Sequence, residues 1–245
     1  HVLELKSRGL EPQAVQTLAR RADPLQYTTP DGRFVIEYEV EGTHAVNPGD
    51  DADASGIPDY VEWVAEALLE SYQRQVVELG FPFPEGGPYR VVLIGMAGAQ
   101  YGLTYPDPGS FAGSYIEMNA NFGTFYENYP GLANEDPDGN VRGAIRVTVA
   151  HEFKHTLQIY NGWSLDTQHR GWLEVDAVWV EEIVYDFVND YYNYNSLIGS
   201  PFTTPGESLF SNASYQSATW QVFLQEYDAV DFMFDLHTRR IDPSW

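Results

Sequence analysis

Apolar residues recur every fourth position at Val141, Ile145, Val149, Phe153 and Leu157, a stripe that predicts a helix with one buried side over about Val141–Tyr160. The turn-rich run Asp136-Pro137-Asp138-Gly139-Asn140 supplies its start signal, with Asn140 or Asp138 able to cap free backbone N–H groups. A second stripe, Tyr60, Val64, Leu68, Tyr72, Val76 and Leu79, predicts a helix that backs the N-terminal part. Phe34–Val40 and Tyr89–Ile94 read as strands, and Ser114–Asn119 as a third with partial alternation. Helical patterns follow at Glu174–Tyr191 and Tyr215–Tyr227. A sheet with a backing helix and a long central helix is thus followed by a helical part. It reads as one domain over 1–245, with 1–30 an arm or propeptide remnant that includes a helix-like stretch, Leu10–Arg21. Residues 31–160 would form an N-terminal lobe and 161–245 a helical C-terminal lobe, with an irregular connection near Gly199–Gly206.

A chain of 245 residues, 43% hydrophobic and 15% aromatic, can bury an ordinary core. Its 36 acids against 13 bases give a net charge of −23, a field that repels nucleic acid and anionic membranes. No apolar run approaches the roughly 18 residues of a membrane helix. A monomer with no nucleic-acid partner and no membrane insertion is expected. The chain has no cysteine, so no disulfide can form. Opening at His1 without a methionine or a signal peptide, it reads as a processed product.

Candidate chemistry lies on the first of these helices. His151-Glu152-Phe153-Lys154-His155 places two histidines on one helix face, where both can grip one Zn2+, and Glu152 beside the metal as a base. A catalytic zinc takes three protein ligands and keeps its fourth position open. A third histidine in the metzincin spacing is missing, because Gln158 and Asn161 occupy the positions where that pattern has glycine and histidine. Glu174, Asp176, Glu181, Glu182 and His169 are the available donors downstream.

A second metal pattern runs from Asp51 to Glu62. Asp51, Asp53, Ser55, Asp59 and Glu62 stand at positions 1, 3, 5, 9 and 12 of a calcium loop, with Gly56 at 6 and the Ile57 carbonyl at 7. The helix that precedes such a loop in an EF-hand is missing, since Gly42–Gly49 is turn-rich. A structural Ca2+ that fixes the start of the next helix fits this arrangement; the alternative is an acidic turn that caps that helix.

Trp172-Leu173-Glu174-x-x-Ala177, eighteen residues beyond His155, resembles the glutamate-helix signature of gluzincins, zinc peptidases in which a downstream Glu completes the site. The blocks Thr43–Val46, Gly56–Val61, Val149–Phe153 and Ala177–Glu181 are similar to an uncharacterised group of bacterial secreted metalloproteases in that clan. The resemblance implies an α+β class with a two-lobed zincin-like fold, Glu174 as third ligand, a small Ala177 for close helix packing, and secretion. Ser214-Tyr215-Gln216-Ser217-Ala218 resembles the segment that carries an oxyanion-stabilising tyrosine in gluzincin aminopeptidases, which selects Tyr215 and leaves Tyr185, Tyr191, Tyr192 and His237 open. Glu117-Met118-Asn119 resembles their amine anchor with its order disturbed. The expected enzyme is thus a secreted zinc endopeptidase that acts on peptide or protein substrates paired with the Ser114–Asn119 strand. The alternatives are an aminopeptidase, a non-peptidase zinc hydrolase, or an inactive calcium-dependent binding module.

Overall fold

A computed structural model describes residues 24–163, 170–208 and 214–227. The Leu10–Arg21 stretch, His169 and His237 lie outside the described residues. Five strands form one mixed sheet: β1 (Leu25–Thr28), β2 (Phe34–Tyr38), β3 (Tyr89–Ile94), β4 (Gly102–Pro106) and β5 (Ser114–Asn119), in the order β1-β2-β3-β5-β4. The inner pairs β2–β3 and β3–β5 are parallel, while β1 and β4 run antiparallel at the two edges. Residues 25–28, within the stretch read as an arm, pair with β2 as β1, and Ser114–Asn119 is an inner strand held on both sides by β3 and β4, so it has no free edge for the substrate pairing expected of it.

Six helices are described: α1 (Asp59–Tyr72), α2 (Phe122–Asn128), α3 (Asn140–Tyr160), α4 (Arg170–Tyr185), α5 (Tyr192–Asn195) and α6 (Thr219–Glu226). The class is therefore α+β. Alternation along β2 sends Phe34, Ile36 and Tyr38 into the core, and Tyr89, Val91 and Leu93 do the same on β3. Onto that face pack Tyr60, Val64 and Leu68 of α1 and Ile145, Val149, Phe153 and Leu157 of α3, all buried. Phe153 lies edge-on to Phe34, with ring centroids 5.9 Å apart, and against Phe83 at 5.3 Å. Polar ties fix the height of α3 on the sheet: the Tyr89 hydroxyl lies 2.7 Å from Thr156 Oγ1 and 3.0 Å from Ser114 Oγ.

The start of α3 differs from the expected cap. Gly139 occupies the N-cap position at φ +101, with no side-chain cap. Asn140 instead accepts the Asn134 backbone N–H at 3.1 Å, and Asp138 takes Arg146 Nη2 at 2.9 Å. α1 runs on into a π-helical turn, Gln73–Glu78, from which Gln75 Nε2 donates to the Ala150 carbonyl at 3.0 Å. No described helix is long and apolar enough to cross a membrane.

Candidate metal centre

His151 and His155 sit one turn apart on α3, and Glu174 approaches them from the first turns of α4. Their ligand atoms form a near-equilateral triangle. His151 Nε2 lies 3.1 Å from His155 Nε2 and 3.2 Å from Glu174 Oε2, and His155 Nε2 lies 3.4 Å from the same oxygen. Tetrahedral ligands at zinc bond lengths are about 3.3–3.5 Å apart, so this triangle is the size that one zinc ion requires. The donor set, two imidazoles and a carboxylate, also suits that metal.

The remaining ring nitrogens are tied off. His151 Nδ1 is 2.7 Å from Glu181 Oε1, and His155 Nδ1 is 2.7 Å from Gln158 Oε1. Because both partners accept, each Nδ1 donates, which leaves each Nε2 as the ring nitrogen that faces the centre of the triangle. Gln158 also donates to the Leu173 carbonyl at 3.2 Å, which ties His155 to the helix that carries Glu174.

Electrostatics point the same way. Burial works against a charge on His151, yet the Glu174 and Glu181 carboxylates outweigh it and push its pKa up to about 10. Burial likewise opposes ionisation of Glu174, but His155 and His151 hold its carboxyl well below the ordinary range. The pocket is built to hold positive charge between these groups.

Glu152 is buried, and its Oε2 accepts the Thr104 hydroxyl of β4 at 2.8 Å, which fixes where the carboxylate points. Gly102 permits the close approach of this edge strand: a Cβ there would lie 2.8 Å from Glu152 Cγ and 2.9 Å from Thr148 Cγ2. Tyr215 stacks nearly parallel to His151, with ring centroids 5.5 Å apart and planes 2° apart. Burial, followed by the Glu174 charge, raises its pKa well above the ordinary phenol value and keeps it a protonated donor. Of the tyrosines left open, Tyr185 turns its hydroxyl to the Ala67 carbonyl at 3.4 Å, and Tyr191 packs against the exposed Tyr192.

The rival ligands sort by position. Glu181 contacts the far side of His151, while Asp176 accepts Gln221 Nε2 at 3.0 Å and lies 3.5 Å from the fully buried Lys154 Nζ. Glu182 does not reach the triangle, and burial followed by the Glu181 charge pushes it up to about 9. Glu117 lies on the sheet face opposite α3, near Tyr115 and Arg90. Glu181, read from the sequence only as a rival ligand, adjoins the site together with Gln158, Thr104 and Gly102, to which the motif reading gave no part. For Glu181 a signal existed, since seven residues from Glu174 is two helical turns and hence the same face.

At the N-terminal loop the oxygens fall into two sets, Asp51, Asp53 and Asp59 in one and Ser55, Ile57 and Glu62 in the other. Ser55 N–H donates to Asp51 Oδ1 and Asp53 Oδ1, both at 2.9 Å, and Ser55 Oγ lies 3.3 Å from the Ile57 carbonyl and 3.0 Å from Glu62 Oε1. Asp59 Oδ1 closes the loop on Ala52 N–H at 3.0 Å, and oxygens of Asp51, Asp53 and Asp59 lie within 4.8 Å of one another. Gly56 takes the left-handed conformation, φ +86, that its position requires. None of these acids caps α1, whose N-cap is Pro58 with no side-chain hydrogen bond.

Compared with known proteins, the chain matches no protein family, no curated protein and no solved structure.

Proposed function

We propose that this chain is a zinc-dependent endopeptidase with a zincin-like, two-lobed catalytic domain. The observation that carries this reading is the triangle of His151 Nε2, His155 Nε2 and Glu174 Oε2, at 3.1–3.4 Å, with Glu152 buried beside it. These three residues would hold the ion, whose charge would lower the pKa of a water and polarise a substrate carbonyl. Glu152, aimed by Thr104, takes a proton from the attacking water and returns it to the leaving amine. Tyr215, kept protonated by its surroundings, donates to the oxygen on which negative charge develops. Glu181 and Gln158 keep the two imidazoles in the ligating tautomer.

Glu117, the weak anchor for a substrate amine, lies on the opposite face of the sheet, which favours internal cleavage over aminopeptidase action. The clustered oxygens of Asp51, Asp53 and Asp59, with Ser55, Ile57 and Glu62 beside one another in the same loop, favour a structural calcium ion held by these six residues. That loop and the acid excess favour a secreted enzyme.

Glu152→Gln tests the reading. Because Glu152 touches water and not the metal, this variant is expected to keep one zinc by elemental analysis and to lose cleavage of unfolded casein. A panel of esters assayed beside casein separates a peptidase from another zinc hydrolase. Retained casein cleavage in the variant rules out the proposed base, and a zinc-loaded wild type that cleaves nothing leaves the inactive binding module.

A further inference from the structure

A cavity of about 30 Å³ adjoins the metal centre at His151 and Glu152, and two further acids, Glu181 and Asp190, line it. Three tyrosines, Tyr101, Tyr194 and Tyr215, form its walls. We propose that Asp190 is a specificity-determining residue that receives a primary ammonium group of the substrate beside the bond to be cut. This rests on the peptidase reading, and adds to it the charge of the substrate.

Asp190 is 1% exposed, yet its carboxylate is poorly provided for. Its Oδ1 receives only long hydrogen bonds, from Tyr101 Oη at 3.4 Å and Asn193 Nδ2 at 3.2 Å. Its Oδ2 has no donor among the described residues, and no described Lys or Arg pairs with it. The described bases are engaged elsewhere, such as Arg146 on Asp136 and Arg90 on Glu37. Burial, followed by the Glu181 charge, pushes the Asp190 pKa up to about 8, so a cation that enters with the substrate is what lets this carboxyl ionise at neutral pH.

Size and wall chemistry narrow the cation. One water occupies about 10–15 Å³ on the same scale, so the cavity holds an ammonium head but is cramped for a guanidinium. Aromatic faces suit both the apolar stem of a lysine and its charge. A net charge of −23 would draw such substrates toward the protein. A lysine side chain and a free N-terminal amine present the same group, and the test must tell them apart.

n-Butylammonium is the first probe, titrated calorimetrically into zinc-loaded protein at about 0.15 M salt, where surface attraction is screened. Wild type is expected to bind it about tenfold or more tightly than Asp190→Asn, which keeps the acceptor for Tyr101 and Asn193 but loses the charge. Four matched peptides then follow, with internal lysine or norleucine and a free or acetylated N-terminus, together with an arginine version. Wild type is expected to cut the lysine peptides about tenfold faster in kcat/KM than the norleucine and arginine peptides. A preference that follows the free amine instead assigns the same pocket to the N-terminus. Casein cleaved without any ammonium preference, or butylammonium bound equally by both proteins, overturns the inference and leaves the peptidase reading standing. Binding of butylammonium that depends on Asp190, without cleavage of casein or any peptide, upholds the cation pocket and overturns the peptidase.

Discussion

His151 shows how strongly this site is organised around positive charge. Between Glu174 and Glu181 its pKa rises from the ordinary 6.5 to about 10, so in metal-free protein at neutral pH it carries a proton that zinc must displace. Because the folded-state value is the higher one, the stabilisation from this proton is complete below 6.5 and is lost as the pH rises through about 10. The melting temperature of metal-free protein is therefore expected to fall between these limits. Zinc binding at pH 8 is expected to release about one proton, measured by calorimetry in buffers of different ionisation heat. Binding without proton release would show that the carboxylates do not hold His151 charged. Glu181 acts on the same ring without touching the metal, so Glu181→Ala is expected to weaken zinc affinity about 10–100-fold in competition with a chelator, while Glu182→Ala leaves it unchanged. Equal affinity in both variants would remove Glu181 from the support of the site. That His151 and His155 share a face, with Glu152 beside them, was legible in the sequence because a helix converts a spacing of four directly into a shared face. Choosing Glu174 over Glu181 was harder, as both lie on the face of α4 that meets α3, and only the distances separate a ligand from the group behind a ligand.

At the scale of elements, those with a strong apolar pattern were legible, while β1, β4, α2 and α5 were not. α3 and β3 match their expected spans closely, because each carries an apolar pattern that buries one face whatever its neighbours do. β4 was missed. Gly-Leu-Thr-Tyr-Pro has a glycine and a proline in five residues, and it becomes a strand by pairing with β5, a long-range fact with no local signature. The contacts of Thr104 and Gly102 with Glu152 were illegible for the same reason. The Asp51–Glu62 loop is the opposite case, since its pattern is local and its backbone follows. A cation that binds only the folded loop stabilises by about 2.7 kcal/mol at a hundredfold excess over Kd, so calcium added to chelated protein should raise its melting temperature. Asp53→Ala should lose most of that rise. A wild-type melting curve indifferent to calcium would reduce the loop to an acidic turn ahead of α1.

For the whole molecule, the sheet and α1 act as a platform that holds α3, and α4 brings Glu174 to it across a dry interface. Lys154, fully buried over the Phe81 ring at 3.6 Å and beside Asp176, joins the two helices on another side of the same contact. The α+β class was legible from the order of patterns and the resemblance together, whereas the sheet order was not, because strand neighbours are chosen by packing at long range. These layers put the three ligand atoms in place, and the central claim is that they serve zinc-dependent cleavage of peptide bonds. The most direct measurement is digestion of unfolded casein by protein stripped with a chelator and then refilled with zinc. Cleavage is predicted to disappear on stripping, to return with one equivalent of zinc, and to stay absent in a Glu174→Ala variant refilled in the same way. Cleavage that survives complete removal of zinc, or a wild type that binds one zinc and cuts nothing, would contradict it.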